Sequence, residues 1–202
     1  MMLFDIQSLI ILVPVILIVI TIHEYAHAKV ADMLGDPTPR QAGRLTLNPI
    51  SHIDPIGFLM LILVRFGWAK PVPINPYNFQ DPRMGSLYVS LAGPFSNFFA
   101  AWFAGLLLKF IPHTFWYGVP ILLSVLTYFI FINLALGVFN LIPIPPLDGS
   151  HVLEALLPPS HYHVMHNLQR YGFIILIAII LLFQPVLFAI IQFLFRLVTY
   201  SF

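Results

Sequence analysis

The segment Ile10-Ile11-Leu12-Val13-Pro14-Val15-Ile16-Leu17-Ile18-Val19-Ile20-Thr21-Ile22-His23-Glu24-Tyr25-Ala26-His27 decides what kind of fold this chain takes. Residues 10–22 are apolar apart from Pro14 and Thr21, and the run leads directly into an H-E-x-x-H pattern. Ionisable side chains at membrane depth are costly, so their presence points to a functional site. On a helix, positions i and i+4 share a face one turn apart. His23 and His27 are therefore placed to hold one Zn2+ together, with Glu24 beside it to act on a water molecule. The expectation is a zinc hydrolase working within a membrane. The alternative is a chance pattern, which would rarely land in a transmembrane helix.

The composition agrees. Of 202 residues, 59% are hydrophobic and 8% are charged, and the mean hydropathy is +0.92. Soluble domains carry about 25% charged residues, so an integral membrane protein is expected. The length suits one membrane-embedded domain, residues 1–202, built from several helices. A net charge of +1 gives no electrostatic case for nucleic-acid binding. The absence of cysteine removes disulfides, thiolate metal sites and a cysteine nucleophile, so any metal must be held by His, Asp or Glu. The N-terminus has neither the basic start nor the small-residue cleavage site of a signal peptide. The first apolar segment is therefore expected to remain as a span.

Crossing a bilayer takes about 20 mainly apolar residues. Candidate spans cover residues 3–31, 85–111 and 119–141. Residues 171–183 and 186–198 are two further apolar segments broken by Gln184-Pro185, read as two short spans or a C-terminal helical hairpin within 171–200. The expected fold is thus an all-α polytopic membrane protein with about five transmembrane helices.

Residues 32–83 differ in character. Gly35-Asp36-Pro37-Thr38-Pro39 ends the first helix, and residues 43–47 read as a short strand. Residues 56–66 are apolar but too short to span, with Arg65 near their end, and read as re-entrant or interfacial. Residues 68–79 carry Pro71, Pro73 and Pro76 among alternating apolar residues, which suits a small β-ribbon. If a residue just after Leu141 is to meet His23 and His27, residues 32–83 must cross the membrane zero or two times, and zero is favoured. Lys29, Arg40, Arg44, Arg65, Lys70, Arg83 and Arg170 then share one side, and Lys109 falls near the other. The positive-inside rule makes the first side, with the ribbon and the metal site, cytoplasmic. Arg196 has no assigned side while the path of the last two segments is open.

A zinc site of this kind takes a third protein ligand. The candidate is Asp148, in Asn140-Leu141-Ile142-Pro143-Ile144-Pro145-Pro146-Leu147-Asp148-Gly149. Its three prolines prevent a regular helix, and non-helical backbone at membrane depth must be buried or line a cavity. Such a segment can turn a carboxylate toward His23 and His27. The alternative is that Asp148 is the N-cap of a short helix over residues 150–157. His151 is the rival ligand.

Together these residues resemble the site-2 protease family of intramembrane zinc metalloproteases, in its compact prokaryotic form without a PDZ domain. The family's marks are H-E-x-x-H on one span and Asn-x-x-Pro…Asp-Gly on another, matched by His23–His27 and Asn140–Gly149. Gly93-Pro94-Phe95-Ser96-Asn97 is similar to its G-x-x-x-N element. The stretches 43–57 and 69–76 also look like the family's compact members. The resemblance covers about residues 9–157, taken as the catalytic core. It implies that His23, His27 and Asp148 bind one zinc ion, that Glu24 is the general base, and that Asn140 sits near the scissile carbonyl. It implies membrane-protein substrates and a prokaryotic cell membrane, and the charge distribution above sets the active site toward the cytoplasm.

Other polar residues carry blander expectations. Asn97 either shapes the substrate path or bonds a neighbouring helix, and Asn133 is an interhelical hydrogen bond. Gly93 and Gly105 permit close helix packing, and His52 reads as structural, with lining of the site as the lesser alternative. His161, His163 and His166 read as an interfacial polar loop. Two other functions compete with the protease. An ion transporter is weakened by the placement of Glu24 and by the lack of repeated halves. A silent homologue is weakened by intact Glu24, His27 and Asp148.

Overall fold

Apolar segments that have no water to bond their peptide groups must satisfy them internally, and a helix does so. The computed structural model describes residues 6–64, 67–112, 115, 118–158 and 162–200. Among these residues there are seven α-helices: α1 (Ile6–Met33), α2 (Thr38–Gln41), α3 (Pro55–Val64), α4 (Pro82–Phe110), α5 (Pro120–Asn140), α6 (Asp148–Leu156) and α7 (Tyr162–Tyr200). Four of them contain stretches long and apolar enough to cross a membrane: Leu9–Met33, Pro82–Phe110, Pro120–Asn140 and His163–Thr199.

α4 is the hub, packing against α1, α5, α6 and α7. Its partners come close because small residues line the contact. Ala101 and Ala104 are buried against Ile130 and Leu134 of α5 and Val198 of α7. A methyl group on Gly105 would lie 2.6 Å from the Val198 carbonyl oxygen, so Gly105 does permit close helix packing. Asp81 caps α4 by accepting from the backbone N–H groups of Arg83 and Met84, at 2.9 and 3.1 Å.

The count of about five spans is corrected to four candidate spans among the described residues. Residues 171–198 are not a hairpin: α7 runs unbroken through Pro185. Each apolar half holds 13 residues, which as a helix reaches only about 20 Å, well short of a bilayer core of about 30 Å. Gln184-Pro185 offers no turn chemistry. Within a continuous helix the proline forfeits one N–H bond, which membrane helices tolerate.

The β-ribbon is also corrected, since no sheet forms among the described residues. Residues 68–79 make one isolated bridge, Ala69 to Ile53, and a 3-10 turn at Pro76–Asn78. Pro71, Pro73 and Pro76 have no N–H to give a ladder. Two of the segment's other N–H groups are used elsewhere, Val72 on Glu24 Oε2 at 3.2 Å and Asn75 on Asp36 Oδ2 at 2.8 Å. Residues 43–47 form no strand either: Gly43 takes φ +66°, and its N–H closes a turn on Arg40. α3 reaches about 15 Å, too short to cross. Arg65 and Phe66, expected at its end, and His161 of the histidine-rich stretch lie outside the described residues.

Candidate metal centre

α1 carries His23 and His27 on one face, both buried, with their Nε2 atoms 3.0 Å apart. Asp148, at the start of α6, places Oδ2 3.1 Å from His23 Nε2 and 3.3 Å from His27 Nε2. The three ligand atoms all lie within 4.8 Å of one another, the single such grouping among the described residues.

What these atoms carry follows from the far side of each ring. The Phe129 carbonyl can only accept, so Asn133 turns Nδ2 to it, at 2.8 Å. Asn133 Oδ1 then faces Asn97 Nδ2, at 2.8 Å. That leaves Asn97 Oδ1 for His23 Nδ1, at 2.7 Å, so His23 Nδ1 bears the hydrogen. His27 Nδ1 likewise donates to the Val89 carbonyl, at 2.6 Å. In a neutral imidazole the other nitrogen is then a bare lone pair. Two Nε2 lone pairs and a buried carboxylate oxygen with no hydrogen-bond donor therefore converge. They repel one another unless a cation stands among them. Two imidazoles oriented by carbonyl oxygens, plus a carboxylate, form a donor set that suits zinc.

α4 backs this centre along one stripe. Val89, Gly93 and Asn97 are spaced i, i+4, i+8 and face α1. A methyl on Gly93 would lie 2.3 Å from His27 Nε2 and 2.6 Å from His23 Cε1. Gly93, expected only to ease helix packing, thus leaves room for the imidazoles themselves. The carbonyl of Val89 carries no side-chain signal and was not legible in the sequence.

α6 is turned back by the proline run, which includes a cis Pro145–Pro146 bond. Gly149 allows the approach, since a methyl there would lie 2.4 Å from the Leu141 carbonyl oxygen. Leu147 occupies the cap position and no side chain caps the helix; the Asp148 carboxylate faces the histidines. The far end of α6 is held by Arg83, which donates through Nε to the Ala155 carbonyl and through Nη2 to the Leu157 carbonyl, the latter at 2.9 Å.

Glu24 lies outside the three-atom grouping, and its Oε2 accepts from Val72 N–H. Near it, Arg44 is buried and donates to the Lys70 carbonyl. Burial pushes the Arg44 guanidinium below its ordinary range, and the Glu24 charge opposes this. Asn140 Nδ2 donates to the Leu136 carbonyl of its own helix at 3.1 Å, leaving its second N–H. His52 is buried, with Nε2 2.9 Å from the Thr46 carbonyl oxygen. His151 pairs with Glu154 at 3.5 Å on an exposed face, away from the three-atom grouping. His163 and His166 fall in the first turns of α7 and outside that grouping. An apolar cavity of about 380 Å³ is lined in part by Ile16, Ile20, Leu61, Trp68, Leu136 and Ile191, and by none of the three ligand residues.

Comparisons with known proteins point to a metalloprotease family. The pattern described as Peptidase family M50 matches residues 118–183. The chain is 42% identical over 175 residues to YwhC of Bacillus subtilis, whose name describes a zinc metalloprotease, covering 83% of this chain and 78% of that protein. It is 33% identical over 172 residues to Rip2 of Mycolicibacterium smegmatis, named in the same terms, covering 82% of this chain and 64% of the relative. No solved structure matches.

Proposed function

As this chain belongs to peptidase family M50, we propose that it is an intramembrane zinc metalloendopeptidase that hydrolyses peptide bonds in or near transmembrane segments of membrane proteins. The observation that carries this reading is the convergence of His23 Nε2, His27 Nε2 and Asp148 Oδ2 at one end of a membrane-spanning helix. These residues would hold the zinc ion. Zinc there supplies Lewis acidity toward a water and a peptide carbonyl.

The chain's own residues do the rest. Glu24 is the general base. With Oε2 engaged by Val72 N–H, Oε1 accepts the proton of the attacking water and passes it to the leaving amine nitrogen as the C–N bond breaks. The second N–H of Asn140 would bond the carbonyl oxygen as negative charge develops there. The substrate segment must unwind, because its carbonyls are otherwise bonded within a helix. The apolar cavity between α1, α3, α5 and α7 suits the flanking apolar residues. Val72 touches Glu24, so an unwound segment would run alongside residues 68–75.

Among the described residues, Lys29, Arg40, Arg44, Lys70, Arg83 and Arg170 fall on the side where α1 ends, and Lys109 and Arg196 on the other once α7 is one crossing. That supports a cytoplasmic active site, and the bacterial relatives support a prokaryotic cell membrane.

The test compares zinc content and cleavage of a membrane-peptide substrate for the parent, Glu24→Gln and Asp148→Ala. The reading expects about one zinc per chain in the first two, loss in the third, and turnover in the parent alone. Turnover surviving in zinc-loaded Glu24→Gln would refute the assignment of the base.

A further inference from the structure

We propose that Arg44 is a substrate-positioning residue whose two unused donors, Nε–H and Nη1–H, take main-chain carbonyl oxygens of the peptide segment presented to Glu24. The inference rests on the protease reading above.

Arg44 is only 4% exposed. Its Nη2 is fixed on the Lys70 carbonyl. Its Nε and Nη1 are buried and bonded to no described group. Buried donors without acceptors are costly, above all on a charged group. Two on one side chain call for an acceptor that arrives from outside.

The surroundings indicate which acceptor. Lys70 stands two residues before Val72, whose N–H reaches Glu24 Oε2 at 3.2 Å. The N–H of Lys70 is itself tied to the His52 carbonyl, at 3.0 Å. Arg44 therefore grips the same short segment that touches the proposed base. An unwound substrate brings carbonyl oxygens that have lost their helical donors, and at membrane depth these need replacements. Residues 70–73 supply few. Pro71 and Pro73 have no N–H, and Val72 N–H is already placed on Glu24. Arg44 supplies two, on a planar cation that holds several oxygen acceptors at once.

The test uses the zinc-loaded full chain and a synthetic transmembrane peptide of leucine and alanine with a central Asn-Gly pair. A companion set replaces one peptide group at a time by a trans-alkene, which has no carbonyl. Parent, Arg44→Gln and Arg44→Lys are compared by KM, kcat and zinc content. For the unmodified peptide, Arg44→Gln is expected to raise KM about tenfold with zinc unchanged and kcat within about threefold, and Arg44→Lys to recover part of that loss. One alkene position should raise the parent's KM about tenfold yet change that of Arg44→Gln less than about twofold. Equal sensitivity to every alkene in parent and variant would overturn the proposal, as would an unchanged KM in Arg44→Gln. Loss of zinc from both variants would assign Arg44 to folding and overturn it too. Failure of the zinc-loaded parent to cleave any peptide would instead remove the protease reading, and this inference with it.

Discussion

His23 Nδ1 donates to Asn97 Oδ1 at 2.7 Å, and that single contact is fixed from 36 residues further along the chain, where Asn97 Nδ2 meets Asn133 Oδ1. Three helices thus set one tautomer. Partners behind a metal-binding histidine commonly matter about 10–100-fold in metal affinity. Asn97→Leu is expected to weaken zinc binding in that range, read by competition with a chelating dye. Asn133→Leu should give a smaller loss in the same direction, because Asn97 remains but is free to flip. Unchanged affinity in Asn97→Leu would mean that the relay is merely packing.

Gly93→Ala puts a methyl 2.3 Å from His27 Nε2. Zinc content and turnover should both collapse. Gly105→Ala, which meets Val198 instead, should lower the melting temperature while zinc stays near one per chain. Equal zinc loss in the two variants would place the effect in helix packing generally.

Asp36 ties the end of α1 to residues 75–78. It accepts from the Thr38 hydroxyl at 2.5 Å, and from Asn75 N–H, Asn78 Nδ2 and Thr38 N–H at 2.8, 2.7 and 3.1 Å. Burial favours the neutral acid, but these hydrogen bonds outweigh it and hold the carboxyl below its ordinary value of 3.8. A carboxyl lowered on folding stabilises the protein fully above its ordinary value, and the contribution fades as pH falls through the lowered one. Asp36→Asn should lower stability at pH 7 by about 1–3 kcal/mol and flatten the acid limb of a melting-temperature profile. An acid limb identical to the parent's would show that other carboxylates govern it.

Arg83 holds the last carbonyls of α6 from the first turn of α4. Losing those two bonds costs about 1–3 kcal/mol of local order. Arg83→Gln should speed amide hydrogen exchange across residues 148–156 and loosen zinc. Unaltered exchange there would show that packing alone docks the helix.

The three candidate ligand side chains were readable in the sequence, and the parts of the site carried by backbone, together with buried Arg44, were not. His23, His27 and Asp148 stand in spaced motifs, and the structure brings their ligand atoms together. Gly93 and the Val89 carbonyl act by lacking a side chain or through the main chain, and only the i, i+4 spacing of Gly93 and Asn97 hinted at a shared face. Arg44 looked like one more cytoplasmic charge, since its burial depends on where residues 68–75 run. The same segment misled as a ribbon because alternation signals an extended chain but does not say which donors are already taken. Pro185 misled in the opposite way: breaker rules drawn from water overstate what one proline does to a helix surrounded by apolar partners.

α7 has a consequence of its own. At 39 residues it reaches about 58 Å, against a hydrocarbon thickness of about 30 Å. Even without its polar first turns it is mismatched to the bilayer, so it must lean, bend or protrude. Leu187 and Ile191, which line the apolar cavity opposite Ile16 and Ile20 of α1, lie on this helix. Should α7 lean, Leu187 and Ile191 move with it, and the width of that cavity is expected to follow acyl-chain length. The distance between probes on α1 and α7 in lipids of graded length measures this.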